Sequence, residues 1–138
     1  MQVRLSNQQS EVPVQVRQLL RRLKVALPLL PRPLPAQLSE IEFVLVDRAT
    51  MSRVHGDFLG DPTETDVMTF PYGEILVCPA VAREQAKASK LMVDDEVLLY
   101  ALHGLLHLIG YDDTKPSLAR EMTLVQEKLL KQVLHAKV

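Results

Sequence analysis

The sequence predicts an α+β fold: a small mixed β-sheet covered by helices, with one helix buried at its centre. Three observations carry that prediction. Runs at 41–46, 65–70 and 74–78 have the length and the β-branched or alternating character of strands. Segments beginning near residues 13, 50, 80, 94 and 116 repeat apolar side chains at helical spacing. The stretch 97–109 is apolar on nearly every face, as befits a helix enclosed by other elements. With 138 residues the chain is long enough for a core without staples, and it is expected to form a single domain over residues 1–138.

Met1 to Leu5 alternates enough for a short first strand. Pro13 suits a helix start, and Val16, Leu19, Leu20, Leu23 and Leu27 follow at helical spacing, with Arg17, Arg21 and Lys24 on the opposite face. Pro28, Pro31, Pro33 and Pro35 remove backbone donors and bias their predecessors to extended geometry, which makes a stiff connector. Ile41, Phe43 and Leu45 alternate with Glu42, Val44 and Val46, a strand covered on both faces. Thr50 to Leu59 reads as a short helix capped by Asp47 or Thr50. Residues 65–70 and 74–78, separated by Pro71, Tyr72 and Gly73, form a hairpin. Ala80 to Ser89 is a helix, Asp94 or Asp95 caps the buried one, and Pro116 opens the last, which carries Leu118, Met122, Val125, Leu129 and Val133.

The buried helix holds the most informative residues. His103 and His107 lie one turn apart on a shared face, so both imidazoles can aim at one point. Gly110 can end the helix in a left-handed conformation and fold the chain back, offering Asp113 or Asp112 as a third donor. Three protein ligands with a position left to water is the pattern of catalytic zinc, whereas structural zinc is closed by four. A lone histidine on an apolar helix is more often a satisfied core residue, but two inside one helix each need polar partners, and a shared cation satisfies both.

Composition narrows the setting. The single Cys78 excludes an intramolecular disulfide and reads as a small buried hydrophobe. No basic and apolar leader is present and no apolar run is long enough for a membrane span, so the expected location is the cytoplasm. Net charge is −1, yet residues 1–32 hold Arg4, Arg17, Arg21, Arg22, Lys24 and Arg32 against Glu11 alone, a local +5. Arg17, Arg21 and Lys24 are therefore candidate RNA phosphate contacts, with a solvated helix face as the plainer explanation.

The motif from His103 to Asp113 resembles the HGxLHLxGYDH signature of the YbeY family of rRNA-maturation RNases. It matches at His103, Gly104, Leu106, His107, Leu108, Gly110, Tyr111 and Asp112, and departs at Asp113, where the family has its third metal-binding histidine. Thr65 to Pro71 resembles the family's TDVLSFP block, and Gly73 to Val77 the GDIxI strand after it; the resemblance runs from about Ile41 to Gln126. The arginine and asparagine usual before the TDV block fall on Leu59 and His55, with Arg48 and Arg53 nearby.

That resemblance implies a zincin-like arrangement with the metal helix against the sheet, and His103, His107 and Asp113 as ligands of one Zn2+. An aspartate ligates zinc well, and its harder oxygen makes Mn2+ a competitor. The implied activity is metal-dependent cleavage of single-stranded RNA in 16S rRNA 3′-end maturation and ribosome quality control. The implied partners are rRNA, the small ribosomal subunit and an assembly GTPase. A bound divalent ion polarises a phosphoryl oxygen and acidifies water, while Asp66 either orients a ligand or caps a turn, and no residue is singled out for proton transfer. Gly104 stands where metallopeptidases of the HExxH type carry their glutamate, which argues against proteolysis. A two-histidine, one-carboxylate iron oxygenase has ligands on strands more often than on helices. The stronger rival is a non-catalytic ribosome assembly factor with a structural metal, favoured by Leu59 at the arginine position.

Overall fold

The computed structural model describes residues 1–61 and 65–136. Four strands, β1 (Gln2–Asn7), β2 (Glu40–Leu45), β3 (Val67–Phe70) and β4 (Glu74–Val77), form one sheet in the order β1-β2-β4-β3. β1 and β4 flank β2 in parallel, and β3 closes the edge antiparallel to β4, with Val67 opposite Val77 and Phe70 opposite Glu74. Among the described residues the α-helices are α1 (Val16–Ala26), α2 (Arg48–Leu59), α3 (Pro79–Ser89), α4 (Val93–Leu108) and α5 (Pro116–His135). This is the α+β arrangement expected, a small mixed sheet flanked by helices.

Strand alternation sorts the core into two layers. Ile41, Phe43, Leu45, Ile75 and Val77 face a large cluster shared with α1, α4 and α5. Val44, Val46, Leu76 and Cys78 turn to the other face, where Met51 of α2 and Ala80 and Val81 of α3 cover them. Strand β2 is thus covered on both sides, which explains its continuous apolar character. Cys78 is fully buried, and burial pushes its thiol pKa up, so it behaves as a small hydrophobe.

Helix α4 is the hub, packing against α1, α3, α5, β3 and β4. Its start differs from expectation: Met92 occupies the N-cap position with no side-chain cap, and Asp94 and Asp95 lie inside the first turn. The reason is tertiary. Asp94 accepts the Gln15 backbone N–H at 3.3 Å, and Asp95 pairs with Arg22 at 3.0 Å, so both carboxylates tie α1 to α4 while still favouring the positive end of the helix dipole. The same contact sets the start of α1 at Val16, three residues beyond Pro13. Asp47 does cap α2, accepting the Thr50 N–H at 2.7 Å. After Ala26 the chain takes one 3-10 turn, Leu27–Leu29, before the proline connector leaves the helix axis.

Candidate metal centre

Two local devices bring the histidines and Asp113 together. The first is the helix itself, which stacks His103 and His107 edge to face with ring centroids 4.6 Å apart. The second is its ending. Gly110 adopts φ +102°, its N–H donates to the His107 carbonyl, and the Tyr111 N–H reaches back to the Leu106 carbonyl. That is a Schellman motif, satisfying orphan carbonyls and turning the chain toward the histidine face. Asp113 then stands with Oδ2 3.6 Å from the Nε2 atoms of both rings.

Hydrogen bonding determines what these atoms offer. The Nδ1–H of His107 donates to the Tyr111 carbonyl at 3.0 Å, and that of His103 to Gln126 Oε1 at 2.6 Å. With Nδ1 as the donor, a ring in its neutral form turns an Nε2 lone pair inward, and the two nitrogens lie 3.0 Å apart beside a carboxylate oxygen. Three acceptors at one point repel one another unless a cation lies between them. Tetrahedral zinc with bonds of about 2.0–2.1 Å holds its ligand atoms about 3.3 Å apart, and the three separations here bracket that value. The donor set fits a divalent ion. The negative end of the α4 dipole adds to the attraction.

The site is open. The side chains of His103, His107 and Asp113 retain 25%, 30% and 45% of their exposure, enough for solvent and a substrate to reach the cluster. His107 also lines a cleft of about 630 Å³ whose walls include Phe58, Leu59, Met68 and Phe70. Neighbouring Asp112 is occupied differently: Oδ1 accepts the Thr114 N–H at 2.9 Å and Oδ2 the Thr114 hydroxyl at 3.0 Å. The Thr114 backbone bond, followed by its hydroxyl, holds the Asp112 carboxyl below the usual aspartate range. Asp113, not Asp112, is the carboxylate in the cluster of His103 and His107.

Gly104 has a packing role. A Cβ there would stand 2.6 Å from Ile75 Cγ2 and 3.0 Å from the Thr69 hydroxyl, which itself donates to the Gly104 carbonyl. The glycine lets α4 lie directly on β3 and β4.

Other residues singled out in the sequence are not among the three donors of the cluster. Asp66 accepts from the Thr65 hydroxyl at 3.3 Å, and its carbonyl receives the Cys78 N–H; the imidazole Nδ1 atoms are engaged by Gln126 and Tyr111 instead. Arg17, Arg21 and Lys24 are exposed on α1. Arg21 borders a concavity with Val133 and Leu134 near the end of α5, about 10 Å along that helix from Gln126. His55 and Leu59 line the cleft, whereas Arg48 turns to Glu84 and the Ala80 carbonyl. Gln126 went unread in the sequence, although it sits in register with Met122, Leu129 and Val133, a polar break in the apolar stripe of α5.

Comparison with known proteins points the same way. Residues 4–134 match the profile of the family described as Endoribonuclease YbeY. The Endoribonuclease YbeY of Kineococcus radiotolerans is 41% identical over 110 residues, covering 67% of this chain and 64% of the relative. That of Renibacterium salmoninarum is 38% identical over 109 residues, covering 67% and 69%. The chain thus spans a little under two thirds of the Kineococcus relative. A Thermotoga maritima protein solved in solution superposes with a TM-score of 0.66 at 26% identity, over 95% of this chain and 88% of its own. A family match that runs from β1 to the last turn of α5, through every element that supports the donor cluster, makes this chain a member of the Endoribonuclease YbeY family.

Proposed function

We propose that this chain, as one domain over residues 1–138, is a metal-dependent endoribonuclease that cleaves single-stranded rRNA. The observation that carries the reading is the convergence of His103 Nε2, His107 Nε2 and Asp113 Oδ2 in a partly exposed cluster, within a family named for endoribonuclease activity. His103, His107 and Asp113 are the proposed ligands of one Zn2+ or Mn2+, on a zincin-like helix laid against the sheet. When bound, the ion supplies charge to polarise a phosphoryl oxygen and acidify water. The chain's own contribution is positional. Gln126 and the Tyr111 carbonyl fix the tautomers of the ligating rings, and the Schellman turn fixes Asp113.

The proposed biological setting is 16S rRNA 3′-end maturation and ribosome quality control in the cytoplasm, with the small ribosomal subunit and an assembly GTPase as partners. Among the described residues no helix is long and apolar enough to cross a membrane. Arg17, Arg21 and Lys24 are proposed as phosphate contacts for RNA extending away from the metal centre.

A second reading, a non-catalytic assembly factor with a structural metal, is favoured by Leu59, an exposed apolar residue where the family resemblance places an arginine. One assay separates the two. RNase-free protein loaded with zinc or manganese is incubated with defined single-stranded RNA beside His103→Ala. Cleavage by the parent and not by the variant is expected; equal products from both would assign the activity to contamination and favour the assembly factor.

A further inference from the structure

The cleft beside the donor cluster is lined by His107 and otherwise by residues outside the cluster. Its volume of about 630 Å³ lies within the 300–1,000 Å³ typical of small-ligand sites. One wall is unusual for a protein surface: Phe58 and Leu59, in the last turn of α2, are each 65% exposed. The Phe58 ring is held in place there. It meets Phe70 in a T-shaped contact with centroids 5.1 Å apart at 67°, and Phe70 is stacked on Tyr72 at 5.6 Å and 23°. A ring anchored by one T-shaped contact that keeps 65% of its exposure offers apolar surface on which a second planar ring can stack. Gln37, His55 and Thr65 add polar groups to the lining, available to the edge of a planar ligand.

We infer that the cleft is a nucleobase subsite: it takes one unpaired base of single-stranded RNA, stacked on Phe58, beside the phosphate presented to His103, His107 and Asp113. The inference rests on the nuclease reading above and adds the recognition element. Charge decides the direction of the strand. Beyond Tyr72 the surface carries Glu40 and Glu42, which share Arg4, and Glu74, which accepts from the Tyr72 hydroxyl; three carboxylates against one guanidinium leave that side net acidic, so the backbone follows the side of the donor cluster while the base enters the apolar side. A base inside a duplex has no free face to offer, whereas every unpaired base has one, so the subsite selects single strands with little preference for sequence.

The test uses zinc-loaded full-length protein and a short unpaired RNA carrying 2-aminopurine, with binding followed by stopped-flow quenching and cleavage of the same RNA followed on a gel. Phe58 is exposed and leaves the core intact when replaced. Expected are quenching by the parent and by Phe58→Trp, about tenfold weaker binding by Phe58→Ala, and no such difference on RNA made abasic at the probe position. Parent and Phe58→Ala that bind and cleave alike overturn the subsite and leave the nuclease reading standing. Phe58-dependent quenching without any cleavage supports the subsite and overturns the nuclease. A parent that neither binds nor cleaves overturns both.

Discussion

Asp112 and Asp113 are adjacent and chemically identical, and hydrogen bonding gives them separate tasks. Both oxygens of Asp112 accept from Thr114, while Asp113 Oδ2 faces two imidazole nitrogens. Asp113→Ala should therefore lose most bound metal and Asp112→Ala keep it, as read by elemental analysis of protein purified without added chelator. The reverse order would move the third ligand to Asp112. Asp113→His should retain metal and shift preference from manganese toward zinc, because it exchanges a hard oxygen for a nitrogen donor. Gly104 permits an equally direct forecast. Alanine is favoured over glycine inside a helix by about 1 kcal/mol. Here its Cβ would stand 2.6 Å from Ile75 Cγ2, and overpacking of that kind costs about 1–3 kcal/mol. Gly104→Ala should be net destabilising, with a lower urea midpoint at unchanged slope; a raised midpoint would mean that the sheet yields to the helix.

Among the elements, α2 shows how far local chemistry carries. Asp47 was legible as a cap from its position before Thr50, and the Thr50 side-chain bond, then its backbone N–H, hold its carboxyl below the usual 3.8. A carboxylate with a depressed folded pKa stabilises the fold above its unfolded pKa and loses that contribution as pH falls through the folded value. Asp47→Ala should thus cost about 1 kcal/mol at neutral pH, and the urea midpoints of variant and parent should converge on acidification below 3.8. A gap independent of pH would assign the loss to helix propensity alone. The start of α4 was not legible, because the partners of Asp94 and Asp95 are Gln15 and Arg22, nearly eighty residues away in one case. Local signals mark a carboxylate as a cap; only packing shows that a second helix has claimed it. The basic face of α1 was legible as charge and not as location. If Arg17, Arg21 and Lys24 contact phosphates, the triple alanine variant should flatten the log-log salt dependence of RNA binding by about 0.7 per lost contact, and an unchanged slope would make them a solvated face.

At the scale of the whole molecule, the sheet, its helices and the histidine pair could be read from periodicity and one motif, because period and spacing are local properties. Strand order, the cleft and Gln126 could not, since each depends on elements distant in sequence: β2 pairs with both β1 and β4, Phe58 leans on Phe70, and His103 leans on α5. This arrangement makes the donor cluster a junction. His103 and His107 belong to α4, Asp113 to the loop after it, and Gln126 ties α5 to the same ring. Three inward lone pairs without a cation repel one another across that junction, whereas a bound ion draws them together and adds to stability by mass action, about 4 kcal/mol when free metal is a thousandfold above its dissociation constant. Chelation should therefore lower the melting temperature of the parent and leave His107→Ala, already without a full donor set, unmoved. The loss should also be local. Hydrogen exchange should rise first in residues 109–113 and in the turns of α5 around Gln126, while β1 and β2, which meet α4 through the shared core, retain their protection. Equal loss across the sheet would show that the ion holds the global fold, and no loss on chelation would remove the metal from the account of this junction.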